Sequence, residues 1–206
     1  MSDADGEGRD ASEPGAEWPV EFRGVTESVV TTLGPNGRWN AAALGLHPPE
    51  GSGDPVTART WGDTRTRRNF HRRGGGRVQF TRDPVTFVDA ALSIFEVESP
   101  VLPSADAWAA VDAEPVESGE SGGTRWEEWE LRPRETGVER RVVPTTNRGF
   151  GAVVEATVAA SRLGVDAYDQ TALRRRLSYF EEVGRNCGGD RVREALDRLD
   201  EHVETD

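Results

Sequence analysis

The 206-residue chain has no lysine: its 25 basic residues are all arginine, set against 37 Asp and Glu for a formal net charge of −12. It has one cysteine, Cys187, and three scattered histidines, His47, His71 and His202. A single thiol excludes an internal disulfide framework and a multi-cysteine zinc site, and the histidines lack metal-ligand spacing. No apolar run approaches the roughly 20 residues of a membrane-spanning helix. The first residues are acidic rather than basic and then apolar, so neither a span nor a signal peptide is expected, and the reading is cytoplasmic. The phosphate-loop, dinucleotide, nucleophile-elbow and zinc-protease motifs are missing as well. Nothing nominates a protein-based catalytic group, which is the pattern of a protein that works through a bound cofactor.

What is present suits brine. At molar ionic strength the Debye length falls to roughly 3 Å, so repulsion among many carboxylates is screened. Carboxylates keep their hydration, whereas lysine stems add apolar surface; arginine persists where planar, multi-donor contacts are needed. Acid excess without lysine therefore predicts a halophilic, archaeal protein.

Along the chain, residues 1–19 read as a disordered acidic tail. Glu27–Leu33 and Arg38–Leu46 flank Asn36-Gly37, a hairpin signal because both residues tolerate positive φ. Val56–Trp61 and Arg77–Arg82 read as further strands, with a short helix between them capped by Asp63 or Thr64. Pro84–Leu92 has helical spacing with proline at an allowed first position. Ala105–Val111 is open between helix and strand. Glu117–Thr124 reads as an acidic loop, and Trp126–Leu131 with Arg140–Val143 as an antiparallel pair. From Gly149 onward three apolar stripes at helical period follow, led by Val153, Leu173 and Val192. The layout is α+β: a strand-built body and a helical C-terminal part.

One segment departs from the acidic trend. Between Arg59 and Arg82 stand eight arginines against one acid, Asp63, a local charge of +7. They surround a predicted helix start, where unpaired backbone N–H groups and the helix dipole favour phosphate. Thr64, Thr66 and Asn69 add polar side chains. Two readings stay open: an anion site, or a solvated helix whose arginines pair with acids elsewhere.

The hairpin VTESVVTTLGPNGRWNAAALGL, the strand and helix ARTWGDTRTRRNF, and VQFTRDPVTFVDAAL together resemble an FMN-binding split barrel. More narrowly they resemble an archaeal family of small flavoproteins of undefined physiological function; NRGFGAVVEATVAASRLG is similar to that family's join between barrel and helices. The resemblance implies a split β-barrel over residues 20–146 and a C-terminal helical extension over 147–206. It implies a homodimer holding FMN, or a deazaflavin in the same groove, and acting as an oxidoreductase with a nicotinamide donor. The phosphate would lie at Arg59, Thr64, Arg65, Thr66 and Asn69, the ring along Thr31, Thr32, Asn40, Ala41 and Ala42, with Asn147 and Arg148 completing the pocket. Arg67, Arg68, Arg72 and Arg73 exceed what one phosphate needs and leave room for a second anion such as NADPH. The alternatives are a flavin-storing protein without turnover and a binder of nucleic acid or phosphorylated ligands through residues 59–82, with Trp61, Phe70 and Phe80 for stacking. The overall charge opposes nucleic acid.

Overall fold

Turn chemistry sets the first unit. Strands β1 (Thr26–Leu33) and β2 (Trp39–His47) pair antiparallel from Thr26↔Leu46 to Leu33↔Trp39. Between them the Gly34 N–H donates to the Arg38 carbonyl at 2.8 Å and Gly37 takes φ 77°, as the Asn-Gly signal requires. This is a computed structural model, and it describes residues 16–49, 51 and 53–205. The first fifteen residues of the expected tail lie outside that range.

Strand β3 (Val56–Trp61) leads into helix α1 (Arg65–Arg73). The Thr64 hydroxyl accepts from the Arg67 N–H at its start, and Gly74 closes it with φ 68°. Strand β4 (Gly75–Thr81), helix α2 (Pro84–Leu92) and the short strand β5 (Phe95–Val97) follow. A long hairpin, β6 (Ala105–Ser121) and β7 (Thr124–Val138), completes the sheet. Helices α3 (Arg148–Ala160), α4 (Gln170–Cys187) and α5 (Asp190–Thr205) end the chain. No helix among the described residues is long and apolar enough to cross a membrane.

The order β1-β4-β6-β7-β3-β2, closed by β2 on β1, makes a six-stranded antiparallel barrel, with β5 added to β2. It is the expected α+β split barrel with a helical extension. Val30, Leu46, Val78, Val111, Trp129 and Leu131 fill the interior. Phe70 of α1 plugs one end, its ring 5.0 Å from that of Trp129. Phe80, about five residues and on the order of 16 Å further along β4, joins Trp18 and Phe22 in an edge-to-face cluster at the other end. Trp18 therefore belongs to the barrel, not to the tail in which the sequence reading placed it: its ring is the apolar cover that end requires.

The remaining differences share one cause. Ala105–Val111 is strand, Glu117–Ser121 continues it, and Gly122 and Gly123, with φ of 57° and 79°, turn it into β7. The expected acidic loop is thus the tip of the long hairpin. Arg140–Val143 is not a strand, and β7 pairs with β6 and β3 instead. Alanines face the barrel interior from β6, so it lacks the β-branched alternation that marks a strand in sequence.

A second core joins α2 to α3, α4 and α5 through Val88, Val153, Leu177, Leu196 and Leu199. On its other side α2 sets Phe87 and Ala90 against Val29 and Ala41 of the barrel's outer face. Asp83, which caps α2, holds Arg191 of α5 at 2.8 Å. The helical layer therefore covers the outside of the β1–β2 hairpin.

Candidate functional site

The barrel is split between β2 and β3. These strands pair only at Leu46↔Ala58 and His47↔Thr57, and then diverge. β5 takes up Trp39–Ala41 at the far end of the same edge. Between these two patches, residues 42–45 have no strand partner on that side among the described residues. Unpaired strand-edge amides and carbonyls are strong hydrogen-bonding groups that need partners.

A cleft of about 690 Å³ opens at this gap. Ala42, Ala43, Leu44 and Gly45 form its floor; Arg59, Thr60 and Trp61 of β3, with Thr64 and Thr66 at the start of α1, form one wall. Ala90 and Ala91 of α2, Thr157 and Val158 of α3, and Arg162 and Tyr168 of the α3–α4 connection form the other. The β6–β7 tip closes a side: a Cβ on Gly122 would come within 2.7 Å of the Ala167 methyl. Small residues thus line both broad faces, which suits a planar ligand, while one end offers hydroxyls and helix-start N–H groups, which suit an anion.

Four of the residues expected from sequence line this cleft: Ala42, Arg59, Thr64 and Thr66. Three more support it from beneath α1. Asn40 donates to the Thr66 hydroxyl at 3.5 Å, and Asn69 donates to the Thr32 hydroxyl at 3.0 Å. All four of these side chains are buried, so this polar layer fixes the start of α1. Ala41 packs on α2 beside the cleft. Thr31 faces away, donating to the Pro100 carbonyl and accepting from Gln79. Arg65 pairs with Glu96 at 2.7 Å. Asn147 caps α3 by accepting from the N–H groups of Gly149 and Phe150, and Arg148 follows it, both exposed. They lie about 15 Å along the helix from Thr157, by its rise per residue.

The arginine-rich segment turns out to be largely paired. Six of its eight arginines contact acids: Arg59–Glu128, Arg65–Glu96, Arg67–Glu127, Arg68–Asp63, Arg77–Glu135 and Arg82–Asp106, at 2.6 to 3.6 Å. Arg72 donates to the Asn69 side-chain carbonyl at 2.8 Å. Of the two open readings, pairing with acids accounts for most of this charge. Arg59 and Arg77 each stack on a tryptophan, Trp126 at 4.1 Å and Trp108 at 4.9 Å, and each buries a guanidinium nitrogen without a hydrogen-bond partner among the described residues; of the two, Arg59 lines the cleft. Of the aromatics considered for base stacking, Phe70 is buried and Phe80 half-buried in the barrel; Trp61 alone opens to solvent.

Sequence reasoning missed Glu27, Trp61 as a cleft wall, and the Arg162–Tyr168 pair. The Arg162 guanidinium stacks 5.2 Å from the Tyr168 ring centre and forms no ion pair with a described residue. Nothing in the loop sequence that follows α3 marks it as facing a strand a hundred residues earlier.

A family profile described as the N-terminal domain of a protein of unknown function, DUF447, matches residues 26–140, and one for DUF447 matches residues 147–201. An FMN-bound protein of that family from Methanosarcina mazei has a similar structure, with TM-score 0.72 at 23% identity over 88% of this chain and 96% of that one. The flavin reductase of styrene monooxygenase from Pseudomonas putida S12 is similar at TM-score 0.39 and 12% identity, over 59% of this chain and 93% of that one. A flavin reductase complexed with NADP+ gives 0.38 and 15%, over 58% and 81%. The first shows a shared fold; the other two are too distant to carry an inference.

Proposed function

Since the chain belongs to the DUF447 family, we propose that it binds FMN in the cleft between β2 and β3 and acts as an oxidoreductase. The observation that carries this reading is the split itself, which sets an unpaired strand edge at residues 42–45 across from the start of α1. The relative from Methanosarcina mazei, similar over nearly its whole length, is described as FMN-bound.

The donor set suits the group. Thr64, Thr66 and the first N–H groups of α1 offer hydrogen bonds to a phosphate, and Arg59 adds charge. The β2 edge offers amides and carbonyls to the polar rim of a planar ring. Ala43, Gly45, Ala90 and Ala91 leave space for its faces. When bound, FMN supplies hydride or electron transfer. The chain's part is to anchor the phosphate, orient the ring along β2 and exclude water with the α3–α4 connection. We also propose a two-fold homodimer, because Trp61 and Tyr168 stay 46% and 41% exposed at the cleft mouth, aromatic surface that a second copy would cover. The nucleic-acid reading draws less support, since most arginines of residues 59–82 already hold acids.

The test is direct. Protein purified in molar salt should show the two visible absorbance bands of a flavin, or acquire them when FMN is supplied. Riboflavin should bind much more weakly, because the phosphate contacts are lost. Equal affinity for both would refute the assigned phosphate end. Sedimentation equilibrium should give twice the 22.5 kDa chain mass.

A further inference from the structure

Among the residues lining the cleft, Glu27 is the sole acid. It stands on β1 directly across from Gly45. Because Gly45 has no side chain, the carboxylate leans over it; its two oxygens lie 3.9 and 4.0 Å from the place a Cβ would occupy. That position is on the cleft floor, beside Ala43 and at the end away from α1. Glu27 makes no hydrogen bond or ion pair with any described residue. Other acids, such as Glu98, Glu114 and Glu117, are also unpaired among the described residues, on the open surface; Glu27 differs in standing over a ligand-sized floor.

Its charged surroundings are mixed. His47 lies near it on β2, and Glu155 on α3, the latter bridged to Arg176 of α4. Arg59 of β3, and Arg162 and Tyr168 of the α3–α4 connection, line the same cleft. Glu27 is exposed, yet its carboxyl loses enough water against the cleft lining to be pushed above the ordinary value. The Glu155 charge pushes the same way, and His47 pulls it partly back.

We propose that Glu27 is a ligand-contacting residue: as a neutral carboxylic acid it donates a hydrogen bond to a carbonyl oxygen or imine nitrogen on the ring lying over Ala43 and Gly45, and as a carboxylate it repels an anionic ligand there. Only the protonated acid can donate; the ionised form is acceptor-only. The inference rests on the FMN reading and adds that affinity is linked to one proton. The sign follows: contact is available below the Glu27 pKa and is lost as pH rises through it, by up to about tenfold in Kd per pH unit.

The experiment titrates FMN into the whole chain in molar KCl from about pH 4 to 8.5, following quenching of flavin fluorescence. Wild type, Glu27→Gln and Glu27→Leu are compared, with circular dichroism to establish that each is folded. The phosphate of FMN titrates in the same range, so the readout is the difference between variants. Glu27→Gln, a permanent neutral donor, should hold its affinity where the wild type loses it. Glu27→Leu should bind weakly throughout, without the extra slope. Binding with superposable pH profiles in wild type and Glu27→Gln overturns the assignment and leaves the FMN reading standing. No FMN binding by any of the three, at any pH, overturns both.

Discussion

Gly45 offers the sharpest separation of site from fold. It lines the cleft, and its φ is not left-handed. A Cβ there would meet Val25 at 3.8 Å and the Glu27 carboxylate at 3.9 Å, ordinary van der Waals distances. Glycine inside a strand weakens it, so a side chain at this position should leave stability unchanged or raise it by up to about 1 kcal/mol. Binding should respond differently. An aromatic ring that buries about 150 Å² gains roughly 4 kcal/mol at 25 cal/mol per Å². Gly45→Phe fills the floor and forfeits most of that, while the contacts at Thr64 and Thr66 remain. A loss of about 3–4 kcal/mol is a Kd weakened about 10²- to 10³-fold. Gly45→Ala, with one methyl, should change Kd by less than about fivefold. Thermal melts in molar KCl, with and without FMN, read both quantities: the Phe variant should melt like wild type alone and gain nothing from FMN. If Gly45→Phe binds FMN within about threefold of wild type, the ring does not lie on β2 and the placement is wrong.

Three further outcomes are expected. Thr66→Ala should weaken FMN roughly tenfold in the same titration, because a hydrogen bond to a charged group contributes about 1.5–3 kcal/mol; Arg72→Ala, whose guanidinium is held by Asn69 outside the cleft, should change little. Gly75→Ala would place a Cβ 2.1 Å from the Val111 carbonyl oxygen, within the β4–β6 pairing. It should cost about 2–3 kcal/mol and lower Tm by about 4–12 °C, and an unshifted melt would show that this strand can move. Dilution to tens of millimolar salt should lower Tm steeply as repulsion within a net charge of −12 is unmasked, and full stability in dilute buffer would remove the case for a protein adapted to brine.

Elements carried by local chemistry were legible in the sequence. Asn36-Gly37, the helix cap read as Asp63 or Thr64, and Pro84 each act within a few residues; the turn and the start of α2 sit where expected, and Thr64 is the cap. Of the β6–β7 hairpin only Trp126–Leu131 was legible as strand; β6 and the tip were not. Its inward residues on β6 are mostly alanines, whose burial comes from neighbouring strands, and its acidic outer half is strand because β7 and β3 pair there. The three-residue β5 exists because it completes the edge of β2 at Trp39–Ala41. Strand existence in these cases is a tertiary property, and no window of sequence contains it.

The arginine segment shows the same limit in electrostatic form. Counting charge along the chain measures neighbours in sequence, whereas screening acts between neighbours in space. Arg65 meets Glu96 after 31 residues, Arg67 meets Glu127 after 60, and Arg59 meets Glu128 after 69. A local excess of +7 is thereby cancelled mainly by acids of β5, β6 and β7, and its size says little about how much anion it can hold. The place it pointed to was nonetheless the wall of the cleft, for a different reason. β2 parts from β3 at Ala58, while β3 stays on β7 as far as Trp61, and α1 begins just beyond it. The same divergence that frees the edge at residues 42–45 brings Thr64 and Thr66 to face it. What suits this cleft to an anionic planar ligand is therefore the split in hydrogen bonding, with Arg59 and Arg162 as its cationic side chains.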